Sequence, residues 1–288
     1  MKPAPFDLVI AHEWEEALDT LARHGEEAQV LAGGQSLVAM LNMRLAKPTV
    51  LVDINRVTGA DRIEPGRNCV RIGAAVRQRA VELREETRRD LPLLAEALPH
   101  VGHVQTRARG TVCGSLCHAD PSSELPLCLV ALEGEVELVR RKGRRVVAAT
   151  DFFTGLLSTA READEVVAGV RYPTARPDRG YAFSEIAERH GDFALASFAA
   201  IAGEGFVRLA VGAAADRPVA RTWSTTDLDE LADALNDFAW DLGGIDDPHA
   251  SARYRRDLVR TQGKATIAAA LHRAGLLGSR EPLRGAAT

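Results

Sequence analysis

The chain has 288 residues, 46% of them apolar and 26% charged, with a net charge of -4 and four cysteines. That length suits two or three domains with a sizeable core, and the evenly spread charge gives no global pull toward nucleic acid or a membrane surface. Four unevenly spaced cysteines do not make a disulfide framework, no apolar run approaches membrane-spanning length, and the N-terminus lacks the apolar segment of a signal peptide, so the expectation is a reduced, cytoplasmic protein.

Trp14, Ala17, Leu18, Leu21 and Ala22 repeat at the spacing of a helix packed on one face, and Gly25 ends it. Gln29–Leu31 reads as a buried strand running into Ala32-Gly33-Gly34-Gln35-Ser36. A short helix over about Leu37–Leu45, closed by Pro48, leads to a strand at Val50–Ile54. Asn55 to Gly66 reads as a connector with two glycine turns. A second unit follows, with a strand at Cys69–Gly73, a polar helix across Gln78–Glu86 and another at about Leu91–Leu98 with Pro92 in its first turn.

The stretch Arg107–Pro126 (RARGTVCGSLCHADPSSELP) carries two glycines, hydroxyl residues and no apolar run long enough for a core element, and reads as a loop. Beyond it Leu127–Leu132 is apolar, Glu135–Arg140 and Arg145–Ala148 form a hairpin, and Glu165–Tyr172 is a strand. The basic run at Arg140–Arg145 is the solvated tip of that hairpin. Tyr172–Gly180, with two prolines and no periodicity, is the best domain boundary. After it come strands at Tyr181–Ile186, Phe193–Ala202 and Phe206–Gly212, then helices over Leu228–Trp240 and from about His249 to His272. The last dozen residues carry no packing pattern and are expected to be disordered.

Ala32–Ser36 sits between a strand and a helix, where glycines let backbone approach a ligand and amide groups attract an anion. By itself a Gly-Gly pair at a strand end reads first as a plain tight turn, and the absence of a GxGxxG or Walker pattern leaves the ordinary nucleotide folds without support. In the second stretch Gly110 and Gly114 repeat that character, Thr111 and Ser115 can bond phosphate oxygens, Asp120-Pro121 fixes a turn, and Glu124 can accept from ligand hydroxyls. A buried structural loop is the plainer alternative. Cys113, Cys117 and His118 lack the paired spacing of a zinc or iron–sulfur site, so no metal is expected. Glu188–Phe193 is either a charged turn or an edge covering a ligand. No hydrolase triad or carboxylate pair stands out, so any chemistry belongs to a cofactor.

With these motifs in place, the chain resembles the FAD-binding medium subunits of the molybdenum hydroxylases, the family of carbon monoxide, xanthine and N-heteroaromatic dehydrogenases. The resemblance rests on Ala32–Leu37, on Arg107–Pro126, on Gly191–Leu195 (GDFAL) and on Tyr254-Arg255 in a long helix, in the family's order over nearly the whole chain. It implies an α+β fold: a two-part FAD-binding domain of the vanillyl-alcohol-oxidase type over 1–175 (subparts 1–56 and 57–175), then a smaller sheet-and-helix domain over 176–288. It implies non-covalent FAD held by Ala32, Gly33, Gly34, Gln35, Ser36 and Leu37 and by Thr111, Val112, Gly114, Ser115, His118, Asp120 and Glu124, with Leu157 and Arg189 alongside.

The resemblance further implies a small partner subunit with [2Fe-2S] clusters and a large molybdopterin subunit that hydroxylates an aldehyde, carbon monoxide or an N-heteroaromatic compound. The assembly would be a dimer of heterotrimers that passes electrons to an external acceptor, with quinone, cytochrome or oxygen favoured over NAD. No nucleic acid and no membrane span enter this reading. Two alternatives are a stand-alone flavin reductase of the enolpyruvyl-sugar reductase type and an interaction module that has lost its flavin. The motive for the second is Cys113, which stands where the family has the first glycine of a pair; a positive φ there would cost a cysteine about 1–2 kcal/mol. Glu188–His190 also departs from the lysine-containing versions of some relatives.

Overall fold

A computed structural model describes residues 2–277, and the expectation for the last dozen residues falls almost wholly outside them. The first unit is a parallel three-stranded sheet of β1 (Asp7–Ile10), β2 (Ala28–Leu31) and β3 (Val50–Asp53), with β3 in the middle. Its crossovers are α1 (Trp14–His24), which buries Ala17 and Leu21, and α2 (Leu37–Asn42). Gly25 ends α1 with φ 53, a conformation open to glycine. The expected helix to Leu45 stops at Asn42, and Arg44 takes φ 58 before the chain enters β3.

The second sheet is antiparallel, in the order β4 (Ile63–Pro65), β5 (Cys69–Gly73), β10 (Val166–Pro173), β6 (Glu135–Arg140), β7 (Gly143–Ala148). The connector expected over Asn55–Gly66 therefore contains edge strand β4, too short to carry a visible alternation. Between β5 and β6 the chain makes α3 (Gln78–Leu83), α4 (Thr87–Asp90), α5 (Pro92–Ala97), α6 (Val104–Arg109), α7 (Val112–His118) and α8 (Glu124–Ala131). Thus Arg107–Pro126, expected as a loop, belongs mostly to helices. Glycine at 110 and Asp120-Pro121 between helices gave it a loop-like composition, while Leu116, Leu125 and Leu127 are fully buried against the sheet. Every residue of α8 is buried, so the apolar run at Leu127–Leu132 is core helix.

After β7 come α9 (Ala149–Phe152) and a small ribbon of β8 (Phe153–Gly155) and β9 (Ser158–Thr159) that leads into β10. The third sheet is a meander of β11 (Gly180–Ile186), β12 (Ala196–Gly203), β13 (Phe206–Gly212) and β14 (Val219–Trp223). Alternation along β12 sorts its two faces. Phe198, Ala200 and Ala202 pack against α10 (Glu230–Asp241) and α11 (Ala252–Arg273), whereas Ala199 and Ile201 join the core around α8. The third sheet is therefore covered on both faces. No helix among the described residues is long and apolar enough to cross a membrane.

Candidate functional site

A cavity of about 640 Å³ opens where the parallel sheet, the α6–α7 region and the start of β10 meet. Its floor is formed by contact between the two glycine-bearing segments. Gly33 lies so close to the second segment that a Cβ there would stand 2.5 Å from Arg109 O and 2.8 Å from Gly110 Cα. Gly34 has φ 73, so it turns the chain from β2 into α2 in a conformation that other residues resist.

Side chains hold this contact in register. Arg77 donates through Nη1 to Arg109 O and through Nη2 to Asn55 Oδ1 at 2.7 Å. Asn55 Nδ2 in turn donates to Ala32 O at 2.9 Å and to Asp53 Oδ1 at 2.6 Å. Backbone bonds zip the neighbours together, with Gln78 N donating to Gly110 O and Val112 N to Val76 O. Buried Arg107 grips Glu82 with two nitrogens, at 2.8 and 3.1 Å, and donates to the carbonyls of Val101 and Gly102 on the cavity wall. That pairing holds the Glu82 carboxyl below its ordinary range.

Of the residues singled out in the sequence, Ala32, Gly33, Gly34, Gln35, Ser36 and Leu37 all line the cavity, as do Thr111, Gly114, Ser115, His118, Glu124 and Leu157. Three stand elsewhere. Val112 is fully buried in the core, Asp120 caps its own turn by accepting from Ser122 N at 2.8 Å, and Arg189 sits beside the lining residues Gly191, Asp192 and Phe193. The Thr111 hydroxyl accepts from Gly114 N at 3.0 Å as the cap of α7, leaving its hydrogen to donate. Leu157 adopts φ 52 and donates its N–H to Ala119 O, itself at φ 51, so two left-handed residues brace this rim.

Glu124 begins α8 and is only 6% exposed. Apart from its own backbone N–H, no hydrogen-bond partner engages its carboxyl among the described residues. Burial, with Asp120 nearby, pushes it up to about 7. The cavity thus contains a buried acid that is half protonated near neutrality. Arg161 brings a cation to the wall, its Nη1 bonded to the carbonyls of Glu162 and Glu165. Phe193, 73% exposed, stands at the rim.

Sequence reading missed Gln78, Thr106 and Arg161, which line the cavity, and Arg77, which ties its floor. No local pattern marks them; only the tertiary pairing does. Cys113, expected to be strained if its φ were positive, is the second residue of α7 and has no positive φ. Its thiol is buried, 3.7 and 3.6 Å from the carbonyls of Ile72 and Gly73, and burial pushes it far above the ordinary thiol range.

Residues 4–175 match the family model described as the FAD binding domain in molybdopterin dehydrogenase. The chain is 35% identical over 290 residues to the 6-hydroxypseudooxynicotine dehydrogenase complex subunit alpha of Paenarthrobacter nicotinovorans, covering 95% of this chain and 97% of that one. Its fold is similar to that of a chain in the reconstituted CO dehydrogenase from Oligotropha carboxidovorans, with a TM-score of 0.90, 27% identity, and 95% and 100% of the two chains covered. A chain of quinoline 2-oxidoreductase from Pseudomonas putida 86 gives a TM-score of 0.87 at 30% identity, with 96% and 100% covered.

Proposed function

Since the chain belongs to the family of FAD-binding domains of molybdopterin dehydrogenases, we propose that it relays electrons from an iron–sulfur partner to an external acceptor while a molybdenum-containing partner hydroxylates an N-heteroaromatic compound. The chain itself is an FAD-binding, medium-subunit component of an oxidoreductase. The single observation that carries the reading is the cavity floor, where Gly33 and Gly110 leave no room for side chains. The substrate class is supported by the names of two relatives, a pseudooxynicotine and a quinoline enzyme, each covered over nearly its whole chain.

The residues present fit FAD. Glycine backbone offers a diphosphate close approach, the hydroxyls of Ser36, Thr111 and Ser115 can donate to its oxygens, and buried Glu124 needs a polar partner that a ribityl or ribose hydroxyl supplies. Ala32, Gly34, Gln35, Leu37, Gly114, His118 and Leu157 would complete the cradle; Val112, Asp120 and Arg189 would act through the backbone or through neighbours. Bound FAD would supply the ability to accept and release electrons one or two at a time. This chain's part is to hold it: Arg77 and Asn55 keep the two glycine segments together, Arg107 fixes the Val101–Gly102 wall, and Phe193 shields the rim from water.

The organisation belongs to the same proposal: an FAD-binding domain over 1–175, with subparts 1–56 and 57–175, followed by a C-terminal domain over 176–288. It is supported by the end of β10 at Pro173 and the start of β11 at Gly180. The assembly proposed is a dimer of heterotrimers in the cytoplasm, with [2Fe-2S] clusters and molybdopterin in the two partner subunits.

Co-expression with the genes that neighbour this one, followed by purification through a tag on this chain, tests the reading. The expected complex carries flavin and iron–sulfur absorbance and oxidises quinoline-type compounds with an artificial acceptor. Recovery of this chain alone would overturn the partner assignment, and turnover of aldehydes or carbon monoxide instead would overturn the substrate class.

A further inference from the structure

The loop that joins β9 to β10 borders the cavity, and its glutamates are engaged by the neighbouring β6–β7 hairpin. Glu162 accepts from Arg140 Nη1 at 3.0 Å, and buried Glu165 accepts from Arg145 at 2.7 Å through each carboxylate oxygen. Arg161, in the same loop, is left with backbone partners alone. Its Nη1 donates to Glu162 O at 2.8 Å and to Glu165 O at 2.9 Å. Among the described residues, Nε and Nη2 have no hydrogen-bond partner and no carboxylate pairs with Arg161. One nitrogen of the guanidinium is thus anchored, and the donors on the other two are unspent.

Arg161 is also the sole lysine or arginine among the residues that line the cavity. It leads into β10, whose Val166 and Val167 line the same cavity and are 2% and 3% exposed. The acids that line it are Glu124 and Asp192, the latter beside Gly191, which packs on Gly102 and His103. The glycine floor meets an anion with backbone N–H groups and with the hydroxyls of Ser36, Thr111 and Ser115, all of them neutral donors. A diphosphate taken from water into such a place is costly unless a fixed cation accompanies it. A guanidinium suits that task, because it is planar, always charged and offers paired N–H groups to phosphate oxygens.

Resting on the FAD reading above, we propose that Arg161 pairs with the diphosphate in the ADP half of the cofactor. It supplies the positive charge that the glycine floor lacks, and it makes the cavity select ligands that carry a diphosphate. Neither Nε nor Nη2 gives up a partner within the chain when the ligand arrives, so no broken ion pair offsets the gain. The two bonds from Nη1 to the loop carbonyls hold the guanidinium in place beforehand, which lowers the ordering cost of binding.

Two measurements on the full, flavin-free chain test this, with ADP as the probe. Calorimetric titration should show ADP and FAD each binding R161Q at least about tenfold more weakly than wild type. Wild-type affinity for ADP should also fall between about 0.05 and about 0.5 M sodium chloride, and R161Q should lose most of that salt dependence. The second measurement needs no variant. Phenylglyoxal, which attacks accessible guanidinium groups, should modify Arg161 in the wild-type chain, and ADP should protect it, as read by peptide mass spectrometry. Equal ADP affinity in the two proteins overturns the pairing, as does a weaker R161Q that keeps the wild-type salt dependence, since the loss would then come from loop packing. An Arg161 that reacts equally with and without ADP, or not at all, overturns it as well. A wild-type chain that binds neither FAD nor ADP overturns the cofactor reading, whereas tight FAD binding that ignores Arg161 removes only the present proposal.

Discussion

Gly33 and Gly110 are in direct backbone contact, although 77 positions apart in the chain. The contact brings the β2–α2 turn against the α6–α7 junction and makes one floor from two segments. Gly33→Ala would put a methyl group against backbone that cannot rotate away. The expected result is an FAD affinity at least about tenfold weaker, with a stability loss of about 1–3 kcal/mol, read by flavin fluorescence titration and denaturant unfolding. Wild-type affinity in this variant would show that the floor does not hold the ligand.

Arg77 is the side-chain tie across that floor, reaching Arg109 O with one nitrogen and Asn55 with another. Arg77→Lys keeps the charge but has no fork, so it can satisfy one partner at a time. Arg77→Lys and Asn55→Ala are each expected to weaken FAD binding and to cost about 1–2 kcal/mol of stability. Because they share one network, the double variant should cost less than the sum of the two. A double-variant cycle by chemical denaturation reads that coupling; strict additivity would dissolve the network.

Glu124 gives a pH dependence of defined sign. Its pKa in the folded chain is about 7, raised from an ordinary 4.5, so the native state binds the proton more tightly than the unfolded one. The stability this contributes is fully present below about pH 4.5 and is lost as pH rises through about 7. Relative to E124Q, wild type should therefore lose stability across that interval, by at most on the order of 3 kcal/mol. Thermal unfolding of both proteins at a series of pH values measures it, and parallel profiles would show that Glu124 is ionised throughout.

Cys113 occupies the first turn of α7 with its thiol in the core. Cys113→Gly, which restores the glycine usual in the resembled family, should destabilise the chain by about 2 kcal/mol through lost burial and lost helix propensity. FAD should still bind the variant. A stabilised variant would mean that cysteine strains the backbone after all.

Much of this was legible in the sequence because the strong patterns are local. The amphipathic spacing of α1, the apolar runs of β12 and β13 on either side of the Gly203-Glu204-Gly205 turn and the Ala32–Leu37 motif all state their structure within a few residues. The errors came where tertiary packing overrides composition. Arg107–Pro126 looked like loop because glycine and proline punctuate it, yet Leu116 and Leu125 are fully buried and draw the intervening segments into helices. β4 has three residues and a proline, β1 has four at a sheet edge, and β14 has no apolar alternation, so none of them announced itself. Arg77, Gln78 and Arg161 reach the site through contacts with residues far away in sequence, and nothing in their neighbours' identity encodes that.

The most direct test is the visible spectrum of this chain purified in a complex with its co-expressed partners. The account predicts flavin absorbance equimolar with this chain and retained through gel filtration, together with iron–sulfur absorbance that bleaches along with the flavin when substrate is added anaerobically. A colourless chain, or a flavin that substrate leaves oxidised while the iron–sulfur clusters bleach, would contradict it.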